Sequence, residues 1–151
     1  MKGRILGVDP GEKNIGLAVS DPTGTIANPL TVITHVARNE DARKIVEAAV
    51  EWDAARIVVG QPLDSEGEIG PAARKSIRLA EAIRSQTDLT VELWDETGST
   101  AAARSARIAM GSRRKKRSGH LDSLAATVIL QSYLDAHFTS AVDTNELASL
   151  L

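Results

Sequence analysis

Residues 4–9, with the sequence RILGVD, decide the fold of this chain. A short apolar run bounded by turn residues is typical of a buried β-strand. The turn cluster PGEKN (10–14) and a second apolar run, IGLAVS (15–20), follow directly, so the two runs predict a hairpin. We therefore expect Asp9 at the mouth of a buried sheet, where an unpaired carboxylate is costly. Asp9 is a candidate to bind a cation, an Arg or a backbone N–H, although Asp before Pro-Gly is also ordinary turn chemistry.

The remainder of the chain alternates between extended and helical patterns. Residues 25–33 predict a third strand, in which Pro29 indicates an edge position or a β-bulge. The later elements are a helix capped by Asn39, a strand at 56–60, a helix opening at Pro71, a strand at 90–94 that ends in Asp95-Glu96, a helix from Ser99 to Met110 and a last helix from near His120.

Apolar spacing predicts which faces of two of these helices are buried. The inner face of the helix that opens at Pro71 is expected to comprise Ala73, Ile77, Ala80 and Ile83. The inner face of the last helix is expected to comprise Leu121, Leu124, Ala125, Val128 and Ile129.

The order β-β-β-α-β-α-β-α-α predicts an α/β fold. Three consecutive strands with short turns favour antiparallel pairing, whereas strands that alternate with helices favour parallel pairing. A mixed five-stranded sheet flanked by helices satisfies both preferences. The chain of 151 residues suffices for one domain, which we expect over residues 1–138, with a C-terminal tail at 139–151.

Composition excludes several classes of protein. The chain has no cysteine, so disulfides and thiolate metal sites are impossible. No apolar run approaches the roughly 20 residues of a membrane helix, and no signal peptide is evident, so we expect a cytoplasmic protein without membrane association. The formal net charge of −2 gives no overall attraction to nucleic acid, and four aromatic residues argue against stacking of single-stranded bases.

Three acids fall at places where an α/β sheet gathers its ligands. Asp9 ends the first strand, Glu96 follows the fifth, and Asp122 lies at the start of the last helix. Three carboxylates cannot approach one another without a counter-charge, and oxygen ligands without Cys or His indicate Mg²⁺ or Mn²⁺. Two such ions would stabilise the attacking and leaving oxygens of a phosphodiester cleavage. Each acid alone also fits a helix start or a solvated strand end.

The basic and hydroxyl residues indicate where nucleic acid would bind. Five of the 18 Lys and Arg residues form one run immediately before the last helix, and such a cluster attracts phosphate, although charge runs are commonly mobile loops. His120 is a candidate for proton transfer or metal binding, although a His at a helix start is more often merely exposed. The candidate nucleic-acid-binding residues are Lys13, Ser99, Thr100, Arg113, Arg114, Lys115, Lys116 and Arg117.

Together these motifs resemble the YqgF/RuvX family over about residues 4–135. The motifs are GVDPG (7–11) with Ile15-Gly16, IVVGQPL (57–63) with Gly67, Asp95-Glu96 before Ser99-Thr100, and Asp122 before ILQSYL (129–134). The resemblance implies an RNase H-like fold and a metal-dependent nuclease with Asp9, Glu96 and Asp122 as its acidic cluster. It implies that the substrate is either pre-16S rRNA, cleaved in ribosome biogenesis, or branched DNA such as a Holliday junction. Ribosomal assembly intermediates are the expected partners in the first case. The protein would act as a monomer or a homodimer.

The sequence departs from the family pattern at one position that bears on catalysis. Thr97-Gly98 stands where the family usually carries an Arg and its neighbour, and a planar Arg fork suits phosphate. A catalytically weak module that binds rRNA or junctions is therefore an alternative. A sugar-kinase or actin-like ATPase shares the GVDPG pattern, but such proteins need two domains around the nucleotide.

Overall fold

The computed structural model describes residues 3–64, 66–95 and 123–137. Five strands and three helices lie in these ranges. In chain order they are β1 (Arg4–Pro10), β2 (Asn14–Ser20), β3 (Ala27–Thr34), α1 (Arg38–Glu51), β4 (Ala54–Gln61), α2 (Pro71–Arg84), β5 (Thr90–Asp95) and α3 (residues 123–137).

The strands form one mixed five-stranded sheet in the order β3-β2-β1-β4-β5. The hairpin β1–β2 and the pair β2–β3 are antiparallel, whereas β1–β4 and β4–β5 are parallel. The predicted mixed α/β sheet is therefore confirmed. Strand β1 is central, and its carboxyl end lies at the same edge as those of β4 and β5.

Helices cover both faces of the sheet. Leu6 and Val8 of β1 belong to a core with residues of α1 and α2, such as Ile45 and Ile83. Ile5 belongs to a second core, formed with residues of α3 on the opposite face. Since successive side chains of a strand point to opposite faces, the even positions of β1 face α1 and α2, and its odd positions face α3.

Strand β3 lies at the edge of the sheet, as Pro29 predicts. Its register with β2 shifts between Leu17 and Ala18, so that Leu17 lies opposite Thr31 and Ala18 lies opposite Pro29. An edge position and an irregularity are the two contexts that tolerate a proline without a backbone donor. Both features that Pro29 indicated are present.

The start of α1 differs from the prediction that Asn39 caps it. The helix begins at Arg38, and its N-cap is Ala37, which makes no side-chain cap hydrogen bond. Asp41 in the first turn instead reaches back, and its Oδ1 accepts the backbone N–H of Val36 at 3.0 Å. Asn39 was the wrong choice because an acid inside the first turn satisfies a donor just ahead of the helix.

The helix α2 opens at Pro71 as predicted, and Ala73, Ala80 and Ile83 are buried. Ile77 is only half-buried, because Ser76 and Leu79 occupy the buried side in its place. No helix within the described ranges is long and apolar enough to cross a membrane.

The buried face of α3 is turned relative to the prediction. Ala125 and Ile129 are buried as expected, but Leu124 and Val128 are half-buried. The residues that pack on the sheet are Ala126, Leu130, Tyr133 and Leu134. Apolar residues cover more than half of this helix, so spacing alone did not define the face that the sheet selects. Leu121, the helix predicted from Ser99 to Met110, the domain boundary at 138 and the tail at 139–151 lie outside the described residues.

Candidate functional site at the carboxyl edge of the sheet

The carboxyl ends of the three parallel strands carry polar side chains. Asp9 is the second-to-last residue of β1. Strand β4 ends at Gln61, which lies opposite Asp95 at the end of β5. Strands are spaced about 4.8 Å apart, so the ends of β1 and β5, two strands apart, are separated by roughly 10 Å. This edge is where ligands of open α/β sheets bind.

The two described acids of this edge face opposite sides of the sheet. Asp9 is an odd position of β1 and shares the side of α3, and the residue is half-buried. On β5, Trp94 packs into the core beneath α3, whereas Val91 belongs to the core beneath α1 and α2. Strand alternation therefore directs the exposed Asp95 toward the α1–α2 side, away from Asp9.

Helix α3 runs antiparallel to β1, with its first residues toward Asp9. Leu130 lies over Gly7, near the middle of β1. One turn later, Tyr133 contacts Arg56, which pairs with Ile5 near the start of β1. Ser123 lies seven residues before Leu130, about 10 Å back along the helix, and so toward the carboxyl edge.

A polar cluster fixes the other end of α3. The hydroxyl of Tyr133 donates to Glu92 at 2.9 Å and accepts from the Arg56 guanidinium at 2.8 Å. Arg56 and Glu92 also form an ion pair with each other. Burial raises the pKa of the Tyr133 hydroxyl above its ordinary value. The cluster sets the position of α3 along the sheet and thereby the position of its amino end.

The turn after Asp9 is held from the α1–α2 side. A Cβ on Gly11 would lie 2.2 Å from the Asn14 carbonyl oxygen, so only glycine fits this turn. Lys75 of α2 donates to the Gly11 carbonyl at 2.5 Å, and the backbone N–H of His35 donates to the Lys13 carbonyl at 2.8 Å. These contacts restrict the backbone that carries Asp9.

Sequence reasoning did not identify Lys75 or His35. Each lies far along the chain from the turn that it contacts, and no local motif marks either residue. His35 Nδ1 is hydrogen-bonded to the carboxylate of Asp41, which is almost completely buried. A polar residue following a strand, with an acid in the first turn of the next helix, was the available signal.

Of the predicted site residues, the structure describes Asp9 and Lys13. Lys13 is exposed in the turn between β1 and β2. In the part of the chain that is described, no group of three or more His, Cys, Asp or Glu residues is close enough together to hold a metal ion. The predicted residues outside the described ranges are Glu96, Asp122, Ser99, Thr100, His120 and the basic run Arg113, Arg114, Lys115, Lys116 and Arg117.

Two solved structures share the fold of this chain. RuvC of Thermus thermophilus in complex with a Holliday junction substrate has a TM-score of 0.58 at 15% identity, with 91% of this chain and 96% of that chain covered. The fowlpox virus resolvase in complex with Holliday junction DNA has a TM-score of 0.54 at 14% identity, with 88% and 97% covered. The fold is that of the RNase H-like resolvases.

The particular family follows from the sequence comparisons. The family model described as RuvX, Holliday junction resolvase, matches residues 3–136. A Clostridioides difficile protein named "Putative pre-16S rRNA nuclease" is 38% identical over 93% of this chain and 99% of its own. A protein of the same name from Caldanaerobacter subterraneus is 40% identical over 91% and 99%. The chain belongs to the RuvX (YqgF) family of nucleases.

Proposed function

We propose that this protein is a metal-dependent nuclease that cleaves a phosphodiester bond of structured nucleic acid, with the 5′ end of pre-16S rRNA as its substrate. The observation that carries the proposal is the position of Asp9. This half-buried acid, at the carboxyl end of the central strand, faces the side on which the amino end of α3 lies. Because the family match spans residues 3–136, a nuclease is favoured over the ATPase alternative.

The metal ligands in this proposal are Asp9, Glu96 and Asp122. Asp95 does not replace Glu96, because it faces the α1–α2 side of the sheet and not the side of Asp9. Glu96 follows Asp95 directly in sequence, and Asp122 directly precedes Ser123 of α3. The proposal thus draws its three acids from the ends of two parallel strands and from the amino end of the helix packed over them.

The donor set fits a hard divalent cation. Carboxylate oxygens without thiolates are typical of Mg²⁺ and Mn²⁺ sites. When bound, such ions polarise the phosphoryl oxygens and lower the pKa of a bound water. The contribution of this chain is to hold Asp9 on a rigid strand, and the contacts of Lys75 and His35 with the following turn restrict its backbone.

The choice of RNA follows from the relatives. The relatives that match nearly the full chain carry the name "Putative pre-16S rRNA nuclease". The family description and the solved structures name Holliday junctions, so a four-way DNA junction is the alternative substrate. The basic run at 113–117 would contact phosphates of either substrate.

A side-by-side cleavage assay tests the proposal. Wild-type protein is incubated with a 16S rRNA precursor and with a four-way DNA junction, in Mg²⁺, in Mn²⁺ and in EDTA. We expect metal-dependent cleavage of the precursor at a defined 5′ position. The Asp9→Asn variant is expected to lose about a hundredfold or more of the activity while keeping its affinity for the substrate.

Three outcomes separate the alternatives. Cleavage of the junction with no cleavage of the precursor would select the resolvase alternative. Binding of both substrates without any metal-dependent turnover would select the binding module, which Thr97-Gly98 at the position of the usual Arg favours. Full cleavage by Asp9→Asn would refute the assignment of Asp9.

A further inference from the structure

A cavity lies at the same edge of the sheet, on the side opposite to Asp9. Its volume is about 290 Å³, at the lower end of the range for ligand pockets. It begins at Pro10, the residue directly after Asp9, and is bounded by the starts of α1 and α2. The residues that line it are Pro10, Ile15, His35, Ala37, Arg38, Asp41, Lys75 and Leu79.

The cavity does not belong to the proposed cleavage site. Pro10 is an even position of β1, and Ile15 and Leu79 belong to the core beneath α1 and α2. Asp9 faces the side of α3. A ligand in the cavity and a metal ion at Asp9 would therefore occupy opposite faces, with only the carboxyl end of β1 between them.

The cavity carries two cations against one acid. The Asp41 side chain is 2% exposed, and its two carboxylate oxygens are hydrogen-bonded to the His35 ring and to the Val36 N–H, so they are occupied within the protein. The two cations are Arg38 and Lys75. The nearest acid at the start of α1, Glu40, is already paired with Arg43 outside the cavity, and Glu12 lies exposed in the neighbouring turn.

These cations retain capacity for a ligand. Among the described residues, the Arg38 guanidinium makes no hydrogen bond or ion pair and offers five donors. The Lys75 ammonium has three donors and donates to the Gly11 carbonyl. Because Asp41 binds His35 Nδ1, the ring presents its other nitrogen, and the His35 side chain is 38% exposed. The cavity is thus a small site for a compact anion.

We infer that this cavity binds a phosphate group of the nucleic-acid substrate, away from the cleaved bond, with Arg38 and Lys75 as the ligands. The inference rests on the proposed function, because a strand bound at Asp9 would have to pass over the edge of the sheet beyond Pro10 to reach the cavity. A guanidinium and an ammonium are the groups that bind phosphate most strongly. The bound phosphate would fix the register of the strand across the edge.

The test measures binding in EDTA, so that it does not depend on cleavage. The affinities of Arg38→Gln and Lys75→Gln for a labelled junction and a labelled rRNA precursor are measured by anisotropy over a series of salt concentrations. Arg74→Gln is the matched control, because Arg74 is an exposed cation of α2 outside the cavity. We expect each cavity variant to lose about three- to tenfold in affinity and about one unit of salt slope, relative to Arg74→Gln.

Two further arms complete the experiment. Oligonucleotides with and without a 5′-phosphate distinguish an internal phosphodiester, which predicts equal losses for both, from a terminal phosphate, which predicts a loss only for the phosphorylated strand. Arg38→Gln decides the outcome if Lys75→Gln unfolds. Losses equal to those of Arg74→Gln would overturn the inference, and so would amide shifts at the cavity with inorganic phosphate but none with the oligonucleotides. Absence of nucleic-acid binding by the wild type would overturn the proposed function as well.

Discussion

Gly7 and Leu130 are in direct contact across the face of the sheet that carries Asp9. A Cβ built on Gly7 would lie 2.8 Å from the Cβ of Leu130, a distance that real Cβ atoms do not reach. Glycine at position 7 therefore allows α3 to pack at its observed height above β1. Because Asp9 follows two residues later, this contact also sets the distance between β1 and the amino end of α3.

The Gly7→Ala substitution is expected to push α3 away from the sheet and to lower the free energy of unfolding by about 1–3 kcal/mol. Urea unfolding monitored by circular dichroism measures the loss. Gly70→Ala is the control, because no atom lies within 4 Å of a Cβ built there. In a double-mutant cycle, Gly7→Ala and Leu130→Gly, which removes the contacting Cβ, should cost less together than the sum of their separate costs. Strictly additive costs would show that the contact between positions 7 and 130 does not limit how closely α3 packs on β1.

Tyr133 is the only tyrosine of the chain, so its ionisation is measured directly by ultraviolet absorbance. Burial, with the hydrogen bond to Glu92 adding to it, raises the pKa of its hydroxyl above the ordinary 10.0. The folded protein should therefore titrate above pH 10, and the guanidinium-unfolded protein near 10. Because the pKa of the hydroxyl is higher in the folded state, its contribution to the free energy of unfolding is fully present below pH 10. That contribution is lost as the pH rises through the folded-state pKa. A titration midpoint at or below pH 10 in the folded protein would contradict the buried cluster of Tyr133, Arg56 and Glu92.

Asp21 organises the turn between β2 and β3 and should make the fold acid-sensitive. Its Oδ1 accepts the backbone N–H groups of Ile26 at 2.9 Å and Thr25 at 2.8 Å. The hydrogen bond from the Ile26 N–H is the largest cause, and that from the Thr23 hydroxyl is the next. They lower the pKa of Asp21 from 3.8 to about 2. Since the folded pKa is the lower one, its stabilisation is present above pH 3.8 and is lost as the pH falls toward 2.

The Asp21→Asn substitution tests that dependence. It keeps an acceptor oxygen but not the charge, so we expect a loss of about 1 kcal/mol at neutral pH, after allowance for solvent screening. The difference from the wild type should shrink as the pH falls from 4 through 2, because Asp21 then becomes protonated in the folded protein as well. A constant difference across that range, measured by urea unfolding, would exclude Asp21 as the titrating group.

Much of the sheet could be predicted from local sequence. Each buried strand is a short apolar run bounded by turn residues, as in RILGVD before Pro10-Gly11, and Pro71 marks the start of α2. The combination of antiparallel and parallel pairing followed from the change of pattern after β3. These features are encoded within a few neighbouring residues, which is why they could be found without a structure.

Features that depend on contacts between distant residues could not be predicted in this way. The Lys75–Gly11 bond joins residues 64 positions apart, and the cavity that Lys75 lines has no local motif. The face of α3 that packs on the sheet was misassigned, because apolar residues surround most of that helix. Whether Asp95 shares the face of Asp9 depends on which helices cover each side of the sheet, and this follows only from packing.

The most direct test of the proposed metal centre is a calorimetric titration of the protein with Mn²⁺. Wild-type protein should bind Mn²⁺, and Asp9→Asn, Glu96→Gln and Asp122→Asn should each bind it at least about tenfold more weakly. Asp95→Asn is the matched control beside Glu96, and it should bind like the wild type, because Asp95 faces the other side of the sheet. Wild-type affinity in Asp9→Asn, or a loss in Asp95→Asn as large as that in Glu96→Gln, would contradict the proposed metal centre.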